Sequence, residues 1–272
     1  MNNRLCENEW NRLQEIRCFV LDMDGTFYLG EHLIEGSLDF IKCLTEQGKQ
    51  FLFLTNNSSR NAGYYVEKLK RMGCFVEEKD IYTSGQATAQ YLNRFHKGAR
   101  VFLLGNKYLV KEFEAYGVQL VENDPDVVVV GFDTTLNYHK LATVCDFIRK
   151  GIVYIATHPD LNCPTETGFI PDCGAIMSFI KASTNRNADV IIGKPYQHIV
   201  SGMLERTGYK KEELAIVGDR LYTDIATGVN HGIFSILVLS GETVREDVER
   251  SPVQPDMIFT DLRSLGDRLK TC

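Results

Sequence analysis

Nine short apolar runs, most of them followed by a helical pattern, leave this chain few folds to choose from. They are Cys18–Leu21, Gln50–Leu54, Arg100–Leu104, Val127–Val130, Ile152–Ala156, Val190–Ile192, Ala215–Val217, Phe234–Leu239 and Met257–Phe259. Parallel neighbours in a sheet need a crossover, and a helix supplies it, so strand–helix alternation predicts parallel sheets in an α/β fold. Val127-Val128-Val129-Val130 has no polar alternate and is expected to be covered on both faces. With 272 residues, 44% apolar and 24% charged, the chain can build one large soluble domain or two ordinary ones.

Helix ends are readable. Ser37–Gln47 carries Leu38, Ile41 and Leu44 on one face and stops at Gly48. Tyr64–Met72 ends at Gly73, and Pro195 suits the first position of a helix Pro195–Thr207 that closes at Gly208. Thr223 and Asp224 stand where a short helix Ile225–Val229 begins. Residues 83–187 contain three strand runs and helices of their own. About a hundred residues is a domain's worth of chain. The expected organisation is therefore one domain from 1–82 and 188–272, with a second, 83–187, inserted.

Composition excludes several classes. The net charge of −6 leaves no basic footprint, so nucleic acid is not an expected partner. No apolar run approaches a membrane span. Met1–Arg17 is polar and lacks a secretory signal's apolar stretch, so the cytosol is the expected compartment. Eight cysteines include no C-x-x-C pair, which argues against zinc and against a disulfide framework.

Four polar segments follow apolar runs, and chemistry concentrates there. Asp22-Met23-Asp24-Gly25-Thr26 places two carboxylates one residue apart where a strand ends, the edge at which open α/β sheets bind ligands. Two close carboxylates repel, so one is protonated unless a cation lies between them. Such a pair suits a metal-assisted nucleophile beside a general acid. Thr55-Asn56-Asn57-Ser58-Ser59 offers hydroxyl and backbone donors able to hold a phosphate oxygen. Gly193-Lys194-Pro195 puts a lysine after a buried strand, where it neutralises a phosphoryl group or a buried carboxylate. Gly218-Asp219-Arg220-Leu221-Tyr222-Thr223-Asp224 supplies two more carboxylates of the kind Mg²⁺ prefers. Alone, each is an ordinary turn, helix cap or surface lysine. Together, they are expected to meet on one edge of one parallel sheet.

The four segments, in this order, resemble the motifs of the haloacid dehalogenase superfamily of phosphatases. About thirty residues separate Asp22 from Thr55, too few for a cap domain, and about 140 separate Thr55 from Lys194. That spacing resembles the NagD-like branch with its type-IIA cap. Thr157-His158-Pro159-Asp160, followed by Gly168 and Gly174-Ala175, is similar to the branch too. The branch more often carries Asn at the place of His158 and Gly at that of Asp172. The implied fold is a Rossmann-like parallel-sheet core, 1–82 and 188–272, with an inserted α/β cap, 83–187.

The resemblance also implies roles. Asp22 is the nucleophile that forms an aspartyl-phosphate, and Asp24 is the acid–base. Mg²⁺ is held by Asp22, the Asp24 carbonyl and Asp219, with Asp224 orienting from behind. Thr55, the Asn56 backbone and Lys194 bind phosphoryl oxygens, while His158, Asp160 and nearby Asn162 of the cap are candidates to touch the leaving group, with a surface-loop histidine the alternative for His158. The flap after Asp24, Phe27-Tyr28-Leu29-Gly30, either touches the substrate or gives Phe27 and Tyr28 to the core or the cap interface. The implied partner is a small phosphate ester such as a sugar phosphate or nucleotide, and caps of this branch pair, implying a homodimer. A phosphotransferase on the same core remains an alternative. A phospho-acceptor signalling module is the rival from another class, though such modules carry no hundred-residue insert.

Overall fold

The computed structural model describes residues 2–165 and 167–271. Two compact units emerge. Met1–Leu54, Val66–Ile81 and Met203–Cys272 form the first, and Thr55–Tyr65 with Tyr82–Gly202 form the second.

A six-stranded sheet runs in the order Met257–Phe259, Phe234–Val238, Leu214–Gly218, Cys18–Leu21, Gln50–Thr55, Ile81–Thr83. Its first five strands pair in parallel. Cys18–Leu21, Leu214–Gly218 and Phe234–Val238 are buried throughout, as central strands covered on both faces must be. Phe19 packs edge-on against Phe40 of the helix Ser37–Glu46, with ring centroids 5.6 Å apart. The flap Tyr28–Leu29/His32–Leu33 is a two-stranded hairpin turning at Gly30, φ +59°. Phe27 and Tyr28 are fully buried, which decides for core.

The second unit holds a five-stranded sheet in the order Val190–Ile191, Val153–Ala156, Val127–Val130, Arg100–Leu104, Gln119–Leu120, parallel throughout. Val127–Val130 is its middle strand and wholly buried. β-branched side chains favour the extended backbone and interlock on a sheet covered on both faces. Short polar side chains start the helices here. Asn106 accepts from the Tyr108 and Leu109 amides, Asn137 from Lys140, and Asp172 from Cys173.

All nine apolar runs are strands, but one lies in a different sheet from that expected. Val190–Ile191 pairs with Val153–Ala156 in the second unit, register Val190↔Ile155. Asp189 fixes that pairing, since its amide donates to the Tyr154 carbonyl at 2.7 Å and its Oδ2 accepts the Tyr154 amide at 2.7 Å. Lys194 therefore does not follow a strand of the six-stranded sheet. Segments 55–65 and 188–202, read as part of the first domain in the sequence, fall in the second unit. Pro195 precedes its helix, Gln197–Thr207, because Tyr196 N–H closes a turn onto the Gly193 carbonyl at 2.9 Å. The short helix expected at Ile225 starts earlier, with a π turn Leu221–Ile225 that runs into Ala226–His231.

Cys18, Cys43, Cys74, Cys145, Cys163 and Cys173 are free thiols, while the side chains of Cys6 and Cys272 lie outside the described residues. Among the described residues no helix is long and apolar enough to cross a membrane.

Candidate active site

In the first unit, adjacent parallel strands deliver carboxylates to one edge. Asp22 follows Cys18–Leu21, and its amide continues the ladder onto the Val217 carbonyl at 2.9 Å. Asp219 follows the neighbouring strand Leu214–Gly218. Asp224 arrives by the π turn, a wide turn that often marks functional sites. An oxygen of each of Asp22, Asp219 and Asp224 lies within 4.8 Å of the others. Asp219 and Asp224 are almost fully buried and Asp22 is half-buried.

Glycine makes this crowding feasible. Gly25 has φ +91°, and a Cβ there would come within 2.5 Å of Asp219 Oδ2. Side chains at Gly241 and Gly218 would strike Asp219 and Asp224 respectively. Asp219 Oδ1 accepts the Thr26 hydroxyl at 3.2 Å, and its Oδ2 accepts the Glu242 amide at 2.7 Å. Asp224 Oδ2 accepts the Arg220 amide at 3.2 Å. Even so, burial and secondly the Asp224 carboxylate push the Asp219 carboxyl above its ordinary range. A set of hard oxygen donors whose charges oppose one another fits a divalent cation such as Mg²⁺.

Asp224 and Asp24 are placed differently with respect to the acidic trio. Asp224, expected behind the metal set, offers an oxygen as close as those of Asp22 and Asp219, because the π turn brings it back over Gly218. The Asp24 carboxylate stands outside that trio and accepts the Tyr28 hydroxyl at 3.3 Å. Tyr28 is itself pinned by Lys68, whose Nζ lies 3.8 Å from the ring centroid. Thr26 and the Gly241-Glu242 turn are new members of the site. The Gly25-Thr26 sequence hinted at the first, but nothing in the sequence pointed to the second.

The second unit gathers Thr55, Asn56, Asp160 and Lys194. All four are buried. Asn56 joins the others: its Oδ1 accepts the Lys194 amide at 2.7 Å, and its Nδ2 donates to the Lys194 carbonyl at 3.1 Å and to Asp160 Oδ1 at 3.0 Å. Ser84 Oγ donates to the Asn56 carbonyl. Sequence reading gave Asn56 a backbone role, and its side chain carries the larger structural one. Thr55 Oγ1 accepts the Asn57 amide at 3.1 Å, closing the turn locally.

His158 and Asp160 are both hydrogen-bonded within the second unit. His158 is fully buried with both ring nitrogens engaged, Nε2 with Asp172 Oδ1 at 2.8 Å and Nδ1 with Thr157 Oγ1 at 2.9 Å. The two positions where the chain departs from the NagD-like pattern, His158 and Asp172, are thus hydrogen-bonded to each other.

Comparison with known proteins agrees with this chemistry. A family model described as haloacid dehalogenase-like hydrolase matches residues 19–119, and a second, HAD-hydrolase-like, matches 191–265. The acid sugar phosphatase of Staphylococcus aureus (strain MRSA252) is 37% identical over 252 residues, covering 92% of this chain and 96% of that protein. The crystal structure of 4-nitrophenylphosphatase from Thermotoga maritima superposes with TM-score 0.92 at 50% identity, over 95% of this chain and 99% of that one. NagD from E. coli K-12 superposes with TM-score 0.84 at 30% identity, over 91% and 97%. The chain belongs to the haloacid dehalogenase-like hydrolases and is a phosphatase of their NagD-like branch.

Proposed function

We propose that the chain hydrolyses phosphate monoesters of small metabolites, sugar phosphates first among them, with Mg²⁺ as cofactor and p-nitrophenyl phosphate as an artificial substrate. The single observation that carries this reading is the trio Asp22, Asp219 and Asp224 at neighbouring strand ends. The names of the relatives, acid sugar phosphatase and 4-nitrophenylphosphatase, support the substrate class.

The Asp22 carboxylate attacks phosphorus in line with the leaving oxygen, forming an aspartyl-phosphate and splitting one hard step into two easier ones. Asp24 protonates the leaving alkoxide and then takes a proton from the attacking water. A positioned acid–base of this kind contributes about 10²–10⁴-fold. Its hydrogen bond from Tyr28 orients the carboxyl. Thr55, the Asn56 backbone and Lys194 hold the phosphoryl oxygens. Asp22, Asp219, Asp224 and the Asp24 carbonyl are the groups that would hold Mg²⁺. When bound, the ion supplies the positive charge that lets a carboxylate approach a phosphate. The inserted module 83–187 acts as a cap that selects the leaving group. The same reading makes the enzyme a cytosolic homodimer paired through that cap.

The test is phosphate release from a panel of esters, p-nitrophenyl phosphate included, with Mg²⁺ and with EDTA. The expected outcome is release with Mg²⁺ that EDTA abolishes. Equal release under both conditions would remove the metal assignment. No release from any ester, by folded protein, would overturn the hydrolase reading.

A further inference from the structure

His158 and Asp172 meet in a buried place, where hydrogen-bond geometry matters most. Thr157, His158 and Ser58 are fully buried and Asp172 nearly so. A carboxylate only accepts, so His158 Nε2 carries the proton that Asp172 Oδ1 receives at 2.8 Å. Nδ1 is hydrogen-bonded to Thr157 Oγ1 at 2.9 Å, and Thr157 Oγ1 in turn to Ser58 Oγ at 3.0 Å. Ser58 Oγ takes its own hydrogen bond from the Phe132 amide at 2.9 Å. Ser58, Thr157, His158 and Asp172 thus form one hydrogen-bonded line from the Thr55–Ser59 turn to Asp172.

The same residues hold the lysine segment. Thr157's carbonyl accepts the Gly193 amide at 2.8 Å. Gly193 is packed so closely that a Cβ there would lie 2.6 Å from Asn56 Oδ1 and 2.7 Å from His158 Cβ. The His158 Cβ and the Asn56 side chain thus leave no room for a side chain at Gly193, beside the main chain that carries Lys194, and Asn56 bridges Lys194 and Asp160. At its other end, Asp172 Oδ1 also accepts the Cys173 amide at 2.6 Å, so the pair is anchored to the start of the helix Cys173–Thr184.

We propose that His158 and Asp172 are positioning residues, whose buried hydrogen bond fixes the Thr55–Ser59 turn and Gly193-Lys194 in the geometry that receives a phosphoryl group. This rests on the phosphatase reading above and adds two residues to it. A thiol–imidazole pair is not a competing explanation, because Cys173 is fully buried and burial pushes its thiol up to about 12. A leaving-group contact through either ring nitrogen of His158 would displace the hydrogen bond which that nitrogen makes.

The experiment compares wild type, Asp172→Asn, His158→Gln and His158→Asn. Asn at 172 keeps the helix cap and the volume but not the charge. Gln at 158 reaches Asp172 with a donor, and Asn does not. The readouts are kcat and KM for p-nitrophenyl phosphate and for glucose 6-phosphate, inhibition by inorganic phosphate, and melting temperature. Misplacing a binding group by about 1 Å costs on the order of 10²-fold. Asp172→Asn is expected to lose kcat/KM by that factor on both esters alike, with inorganic phosphate inhibiting more weakly. His158→Gln should retain more activity than His158→Asn. Loss on one ester only, with phosphate inhibition unchanged, would make His158 a leaving-group contact and overturn the proposal. So would unaltered kinetics, whatever the melting temperature. If Asp172→Asn does not fold, equal kinetics in the two position-158 variants overturn it. Wild type inactive on both esters would overturn the hydrolase reading and this inference together, whereas active wild type with unaltered variants overturns this inference alone.

Discussion

Two clusters in this molecule have the same outline and different content. Asp22, Asp219 and Asp224 in one unit, and His158, Asp160 and Asp172 in the other, each bring three potential metal-binding atoms within 4.8 Å. In the first, glycines at 25, 218 and 241 clear space for carboxylates, and negative charges confront one another at strand ends. In the second, the charges are already answered: Asp172 Oδ1 accepts from His158 and from the Cys173 amide, and Asp160 Oδ1 accepts from Asn56. Proximity of acids alone therefore does not identify a cation site. What differs is the donor set: the first cluster is three carboxylates at strand ends, where burial and the Asp224 carboxylate push the Asp219 carboxyl up, and the second is a mixed imidazole–carboxylate network whose hydrogen bonds order the groups around it.

The largest test of that contrast compares Asp22→Asn with Asp172→Asn. If Asp22 is the nucleophile, its amide variant should lose about 10⁴–10⁶-fold in kcat, the scale on which nucleophile removal acts. Its melting temperature should stay near that of wild type, since Asp22 is half-buried and the change is isosteric. Steady-state turnover after removal of contaminating phosphatase decides it. An Asp22→Asn variant that turns over as fast as wild type ends the covalent mechanism.

A smaller effect separates the clusters by metal. Mg²⁺ at a hundredfold excess over its Kd stabilises a protein by about 2.7 kcal/mol when only the folded state binds it. Thermal unfolding should show this shift in wild type and in Asp172→Asn, and not in Asp219→Asn. A shift lost in Asp172→Asn but kept in Asp219→Asn would reverse the assignment of the two clusters.

The sequence was most legible where one residue type decides the outcome. Val127–Val130 could only be a covered strand, and Arg100–Leu104, Cys18–Leu21 and Met257–Phe259 are strands over the residues expected. The apolar run at 190–192 was equally clear as a strand but not in its sheet, since apolarity specifies burial and not the neighbour. The neighbour was chosen by Asp189, through two hydrogen bonds to Tyr154 that no local pattern encodes. The acidic site was legible because strand-end carboxylates carry their chemistry in their type. Asp224's place in the trio was not, because it depends on a π turn that the helical spacing does not announce. Asp172 before Cys173 reads as a helix cap, and it is one. Its second role, accepting from His158 fourteen residues away, is a product of tertiary packing.

The smallest effect is the most specific to the charge argument. In metal-free protein, Asp219 is a carboxylate held in a nearly dry place beside Asp224, with its pKa raised by burial and by that neighbour. Asn at 219 removes one of the opposed charges and keeps an oxygen for Thr26 or the Glu242 amide. With the oxygen kept for the Glu242 amide, the new N–H₂ faces the Thr26 hydroxyl, which can turn to accept, so neither donor is left without a partner. Asp219→Asn should therefore be more stable than wild type in EDTA, while being inactive. A gain of about 1 kcal/mol corresponds to about 2–4 °C in a protein of this size. Asp172→Asn in the same buffer should move the other way, because there the charge answers two donors. Adding Mg²⁺ should then reverse the order of wild type and Asp219→Asn, since the ion stabilises only the protein that still carries the full acidic trio. Scanning calorimetry of the three proteins in EDTA reads the first two signs directly. If Asp219→Asn melts at or below wild type there, the Asp219–Asp224 repulsion does not destabilise the metal-free protein, and the strand-end cluster is as well compensated as the network around His158.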